Sequence, residues 1–263
     1  MDVVDAAALN SPLVQYPFPP SRAATDFKAF SLAVAALQEL FAATDPLATV
    51  PCDPAYKEAV VRDARAFLGI TRKMEERHLA WMRRLEPVMR LPRGLPIVDW
   101  GGGYGLDALL LAACGHEMIL RETHLSALAV FGFLAERVGH VVGPLSTHSV
   151  RAGETEVPPL GPVQAILLHE GARGTVDDEA LLASCHAMLP VNGQLFLSDR
   201  NVAIPRLKGL RARTWRRLAE KAGFLFVREH YHCAARSKWR ELVEVLPGLR
   251  HLAASHITLH FAK

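Results

Sequence analysis

Apolar and polar positions divide this chain into stretches of two periods. From residue 97 onward, short apolar runs of strand length alternate with longer runs of helical spacing. Ile97 to Trp100 reads as a buried strand, and Gly101, Gly103 and Gly105 break it. Ala108 to Ala113 read as a helix, which Cys114-Gly115 stops before a second strand over 117–121. The alternation continues with a helix over 125–138, a strand over 164–168, a helix over 178–189 and a strand over 194–198. A helix over 214–222 and strands over 224–231 and 257–261 complete it. For the third strand, 140–145 and 147–151 both qualify. Such alternation predicts an α/β fold, a Rossmann-like doubly wound sheet.

The first third of the chain is patterned differently. Residues 1–24 hold Pro12, Pro17, Pro19 and Pro20, which disfavour regular structure, yet Leu13, Val14, Tyr16 and Phe18 are too apolar for a freely solvated tail. They either pack on the body or form a flap, and Tyr16 and Phe18 are then candidate lid residues. Thr25 or Asp26 can cap a helix in which Phe27, Phe30, Val34, Leu37 and Phe41 recur at helical spacing. Helices over 55–68 and 72–89 follow, the latter with Met74, His78, Met82 and Leu85 on one face. Residues 1–93 therefore read as an N-terminal helical cap, Arg93-Gly94 as the join, and 94–263 as the nucleotide-type fold.

The glycine turn carries the first candidate chemistry. Missing Cβ atoms let backbone N–H groups approach a ligand, and the following helix N-terminus offers unpaired donors. Gly103-x-Gly105-x-x-Ala108 formally fits a dinucleotide fingerprint. The same stretch also reads Asp99-x-Gly101-Gly102-Gly103-x-Gly105, with a carboxylate closing the strand. That acid would repel a pyrophosphate and attract a cationic amino acid end. Glu122 ends the next strand, 21 residues after Gly101, a distance at which an acid can accept ribose hydroxyls.

On these residues the chain resembles the class I S-adenosylmethionine-dependent methyltransferases, whose first motif is an acid followed by alternating glycines. The resemblance implies S-adenosyl-L-methionine as cofactor, Asp99 near its methionyl end and the glycines Gly101, Gly102, Gly103 and Gly105 against it. Thr123-His124-Leu125-Ser126-Ala127-Leu128 resembles the family's opening of the second helix, which adds Thr123 to the cofactor side. An acid after the third strand would lie beside the adenine; Glu154 is the nearest, and Glu156 competes. Leu189-Pro-Val-Asn-Gly-Gln-Leu195 resembles the family's turn before strand five, with its proline one residue early and Asn192 in place of a glycine. Asn tolerates positive φ, so the turn should survive. Phe224-x-Phe226-Val227 after Gly223, and an apolar strand ending the chain, match the family's sixth strand and reversed seventh. The resemblance covers roughly residues 94–263 and implies seven strands.

Composition narrows the setting. The 263 residues are 50% apolar and 22% charged, with a net charge of +3, which is too small to argue for nucleic acid. No apolar run reaches the ~20 residues that span a bilayer, so no membrane is expected. No basic start with an apolar core marks a leader. Cys52, Cys114, Cys185 and Cys233 stand alone, which fits a reducing, cytoplasmic setting.

Methyl transfer from a sulfonium needs an acceptor held in line and, for a protonated acceptor, a base. His169-Glu170 ends the fourth strand, where such folds gather ligands, so His169 is a candidate general base with Glu170 beside it. A packed histidine is the alternative. The Asn-Pro-Pro-Tyr signature of amino-group methylation of nucleic acids does not occur. His230 and His232 could share a strand face, but with 12 histidines in the chain no metal is expected. Arg200, Arg206, Lys208, Arg211, Arg213, Arg216, Arg217 and Lys221 form a basic stretch with Trp215 as its one aromatic, which reads as a solvated face before an acidic-substrate site. The function expected is a methyltransferase acting on a small molecule. The same glycine motif also serves aminocarboxypropyl transfer and cyclisations that release methylthioadenosine, and a binding module that keeps only the scaffold is the non-catalytic reading.

Overall fold

Runs apolar on both faces become strands buried on both faces, and the sheet is built from them. The computed structural model describes residues 24–69, 85–151, 162–168, 177–200, 212–232 and 256–263. Seven strands form one sheet: β1 (Ile97–Trp100), β2 (Met118–Glu122), β3 (Thr147–Arg151), β4 (Ala165–Leu168), β5 (Gln194–Arg200), β6 (Leu225–His232) and β7 (His256–Ala262). Their order is β3-β2-β1-β4-β5-β7-β6, with β7 antiparallel to both neighbours and the remaining pairs parallel. Among the described residues, the helices with both ends defined are α1 (Ala24–Ala42), α2 (Pro54–Phe67), α3 (Leu106–Ala113), α4 (Leu125–Val142), α5 (Asp178–Met188) and α6 (Ala212–Lys221).

The period of two decides which helices meet which residues. Ile97, Met118, Leu120, Ala165, Leu167 and Phe196 join the core under α1, α3 and α4. Val98, Trp100, Ile119, Ile166, Leu168 and Leu197 join the core under α5 and α6. The N-terminal helices share the first of these cores: Phe30, Leu37 and Phe41 are fully buried with Leu109, Phe131 and Leu134. Of the expected stripe of α1, Phe30, Val34, Leu37 and Phe41 form its packing face. Arg93 ties the join to the sheet layer by donating to the Cys114 carbonyl at 2.6 Å.

Several expectations shift by a turn. Helix α4 runs on to Val142, which consumes the first alternative for the third strand and leaves Thr147–Arg151 as β3. Helix α1 already holds Ala24, so Thr25 and Asp26 lie within its bounds and not ahead of them. Helix α4 is also 18 residues long and apolar enough by composition to cross a membrane. Its residues Ala127, Val130, Phe131, Leu134 and Val138 face the core, while Leu125 and Val141 are exposed. Asn192 adopts φ 69°, the positive value expected of a glycine substitute, and its N–H donates to the Lys263 carbonyl at 2.9 Å.

Candidate functional site

The carboxyl ends of β1, β2 and β4 come into line because their registers match: Trp100 lies opposite Arg121 on one side and Leu168 on the other. The glycine turn leaves this edge. Gly101, Gly103 and Gly105 all take left-handed φ values, 72°, 61° and 71°, so the alternation of glycines follows an alternation of backbone conformation. The two neighbours in the turn are constrained by space. A Cβ on Gly102 would stand 2.3 Å from the Asp99 carboxyl group, and one on Gly105 would stand 2.3 Å from the Phe131 ring. Gly103 differs, since a Cβ there would meet nothing within 4 Å. At Gly102 and Gly105 the protein's own side chains leave no room for a Cβ, while Gly103 turns its open side outward.

Asp99 has no exposed surface. It lies beneath Gly102, so any group above the turn would meet it through its field and through the shape of the turn and not by direct contact. Gly105 also starts α3, and Asp107 in the first turn of that helix complements its dipole.

Glu122 closes β2 and is held from two directions. Its Oε2 accepts the Gly103 N–H at 3.0 Å. Its Oε1 accepts the Thr123 N–H at 2.7 Å, the Thr123 hydroxyl at 3.1 Å and the His124 N–H at 3.1 Å. Charge-assisted bonds of this kind fix the carboxylate before any ligand arrives. Three donors fill Oε1, whereas Oε2 with one donor retains room to accept another. The structure thus brings together Asp99, the glycines, Glu122 and Thr123 at one sheet edge. Tyr16, Phe18, Glu154, His169 and Glu170 lie outside the described residues.

Tyr56 was not singled out by sequence. Asp53 caps α2 by accepting the Tyr56 N–H at 2.9 Å, and Pro54 pre-sets the first turn. That turn lays the Tyr56 ring on His124, centroids 5.0 Å apart and planes within 11°. Burial, then the charge of Glu122, then Cys52 push the Tyr56 phenol up to about 12. Nothing local in the sequence marks it, because its neighbours in space are 66 and 68 positions away.

On the opposite face of the edge, described side chains pack on one another. The Arg121 guanidinium lies 3.9 Å over the Trp100 ring and reaches the Met188 sulfur at 3.9 Å. Burial raises the Cys185 thiol to about 12, the property of a packing cysteine. Of the basic stretch, Arg216 pairs with Glu220 at 2.8 Å and covers Phe226, and Lys221 pairs with Glu179 at 2.6 Å, as expected of a solvated face. Among the described residues no cluster of three or more metal-binding side chains occurs.

No protein-family model and no curated protein matches the sequence. Solved structures do. The TehB-like methyltransferase from Corynebacterium glutamicum superposes with TM-score 0.51 at 16% identity, over 80% of this chain and 100% of its own. The glycopeptide N-methyltransferase MtfA, bound to S-adenosylhomocysteine, gives 0.53 at 13% identity over 68% of this chain and 87% of its own. The chain has the class I S-adenosylmethionine-dependent methyltransferase fold. The fold is shared more widely by chemistry than its name implies, since the cyclase SpnF matches with TM-score 0.51 at 15% identity, over 69% of this chain and 80% of its own. Asp99, the glycine turn and Glu122 stand at the carboxyl edge of the strands, the edge outside which open α/β sheets generally bind ligands.

Proposed function

We propose that this protein is an S-adenosylmethionine-dependent transferase that methylates a small molecule in the cytoplasm. The observation that carries the reading is the closure between the Gly103 amide and the Glu122 carboxylate, with open space on the side of Gly103 where a Cβ would stand. The residues fit the cofactor. Glu122 would hold a ribose hydroxyl on Oε2, and the second hydroxyl would compete with the Thr123 hydroxyl at Oε1. Gly101 to Gly103 would let the backbone approach the ligand, and Asp99 would favour a cationic amino acid end from below. S-adenosylmethionine, when bound, supplies an activated methyl group on a sulfonium.

The chain's own tasks are then to orient that group, to exclude water and to place the acceptor. His169 and Glu170 follow directly on Leu168 at the end of β4 and are proposed as the acceptor-side base and its companion. Glu154 is proposed beside the adenine, and Tyr16 with Phe18 as lid. MtfA, an N-methyltransferase with S-adenosylhomocysteine bound, supports the methyl-transfer reading; SpnF, a cyclase, supports keeping the non-methylating one.

One experiment separates them. Titration with S-adenosylhomocysteine by calorimetry reports binding, and mass spectrometry of the protein incubated with S-adenosylmethionine reports products. Saturable binding with S-adenosylhomocysteine formed only when an acceptor is added supports methyl transfer. Methylthioadenosine formed from S-adenosylmethionine alone establishes the alternative. Absence of binding to either compound overturns the cofactor assignment.

A further inference from the structure

We propose that Tyr56 is a binding residue for the sugar end of the ligand, one side wall of the site at Glu122, held in place by its stack on His124. This rests on the reading of Glu122 as acceptor for a ribose hydroxyl. Three elements converge on the point: the first turn of α2, the end of β2 and the entry to α4. The ring pair, 5.0 Å between centroids and within 11° of parallel, fixes the Tyr56 side chain beside the residues that follow Glu122.

The placement of Tyr56 on α2 points the same way. Tyr56, Val60 and Ala64 are spaced by four along the helix and form one stripe. Val60 and Ala64 are buried in the core shared with the sheet, whereas Tyr56 is half-buried at the end of that stripe. Packing alone would be met by a phenylalanine. The hydroxyl makes no hydrogen bond among the described residues, and the stack on His124 holds the ring beside the residue two positions after Glu122, whose charge adds to burial in raising the phenol. A phenol both donates and accepts, so it complements a sugar hydroxyl whose proton is given to Glu122 Oε2. His124 and Leu125 are exposed at the same rim, Leu125 at 60%, and leave an apolar margin around the polar pair. The occupant implied is a ribonucleoside: hydroxyls for Glu122 and Tyr56, and a ring system for the margin.

The test uses the full chain and S-adenosylhomocysteine as probe. Calorimetry on Tyr56→Ala should show affinity lower by roughly tenfold or more, and Tyr56→Phe a smaller loss of several-fold, since every ~1.4 kcal/mol is tenfold. Nitration of Tyr56 by tetranitromethane, read by peptide mass spectrometry on the unaltered protein, should slow when S-adenosylhomocysteine is present. If Tyr56→Ala fails to fold, Tyr56→Phe and the nitration rate carry the test unaided. Wild-type affinity in both variants, with nitration unchanged by saturating ligand, overturns the proposal and leaves the cofactor reading intact. Failure of the unaltered protein to bind S-adenosylhomocysteine overturns both.

Discussion

The Gly103 amide donates to the Glu122 carboxylate at 3.0 Å and joins two turns that leave adjacent strands of the sheet. Each turn alone would be a loop end with unpaired groups. Joined, they form a rim whose charge and backbone are set in advance, so a ligand binding there would leave little reorganisation to oppose it.

Glu122→Ala should therefore act twice. Calorimetry with S-adenosylhomocysteine should show a loss on the order of 1–3 kcal/mol, the scale of charge-assisted hydrogen bonds to a buried ligand. The melting temperature should fall as well, because Gly103, Thr123 and His124 lose their acceptor. Thr123→Val, which removes only the competing hydroxyl at Oε1, should leave affinity equal or higher. Unchanged affinity in Glu122→Ala would remove Glu122 from the site.

The glycines of the turn should separate by role. Gly103→Val is expected to fold, at a strain of about 1–2 kcal/mol for its left-handed backbone, and to lose S-adenosylhomocysteine binding. Gly105→Val is expected not to fold, because its side chain would meet the Phe131 ring and Leu120. Circular dichroism and calorimetry on the pair check this. Normal binding by Gly103→Val would place the ligand elsewhere.

Acid should weaken the antiparallel side of the sheet. His230 on β6 and His260 on β7 stack with centroids 6.3 Å apart, and His260 pairs with Gln194 at 2.8 Å. Burial first, then the charge of Arg228 for His230, and the charges of His230 and Arg228 for His260, push both imidazoles down to about 4. The unfolded values lie near 6.5. Groups held below their unfolded pKa stabilise the fold above pH ~6.5, and that contribution is lost as pH falls toward ~4. Thermal melts from pH 7 to pH 4 should show the decline, and His230→Gln should flatten it. An equally steep decline in the variant would assign it to other groups.

The N-terminal segment should matter more for turnover than for stability. Helix α1 is anchored by Phe30, Val34, Leu37 and Phe41, all downstream of the lid candidates. Deleting residues 1–20 is expected to impair turnover while the melting temperature moves by a few degrees at most. Hydrogen exchange in that segment should slow when S-adenosylmethionine is added. A large drop in melting temperature with no change in exchange would identify the segment as packing.

Sequence alone determined the sheet and the polarity of its edge. A strand needs only its own period, and a left-handed turn needs only its own glycines, so Ile97 to Trp100, Gly101 to Gly105 and Glu122 were legible where they stand. The choice of Thr147–Arg151 as β3 was settled by how far α4 extends, which depends on Val138 finding the core. The burial of Asp99 beneath Gly102, the outward side of Gly103 and the meeting of Tyr56 with His124 were decided by tertiary structure. These are distances between groups that share no local pattern, and only the packing of α3 against the sheet and of α2 against α1 brings them together.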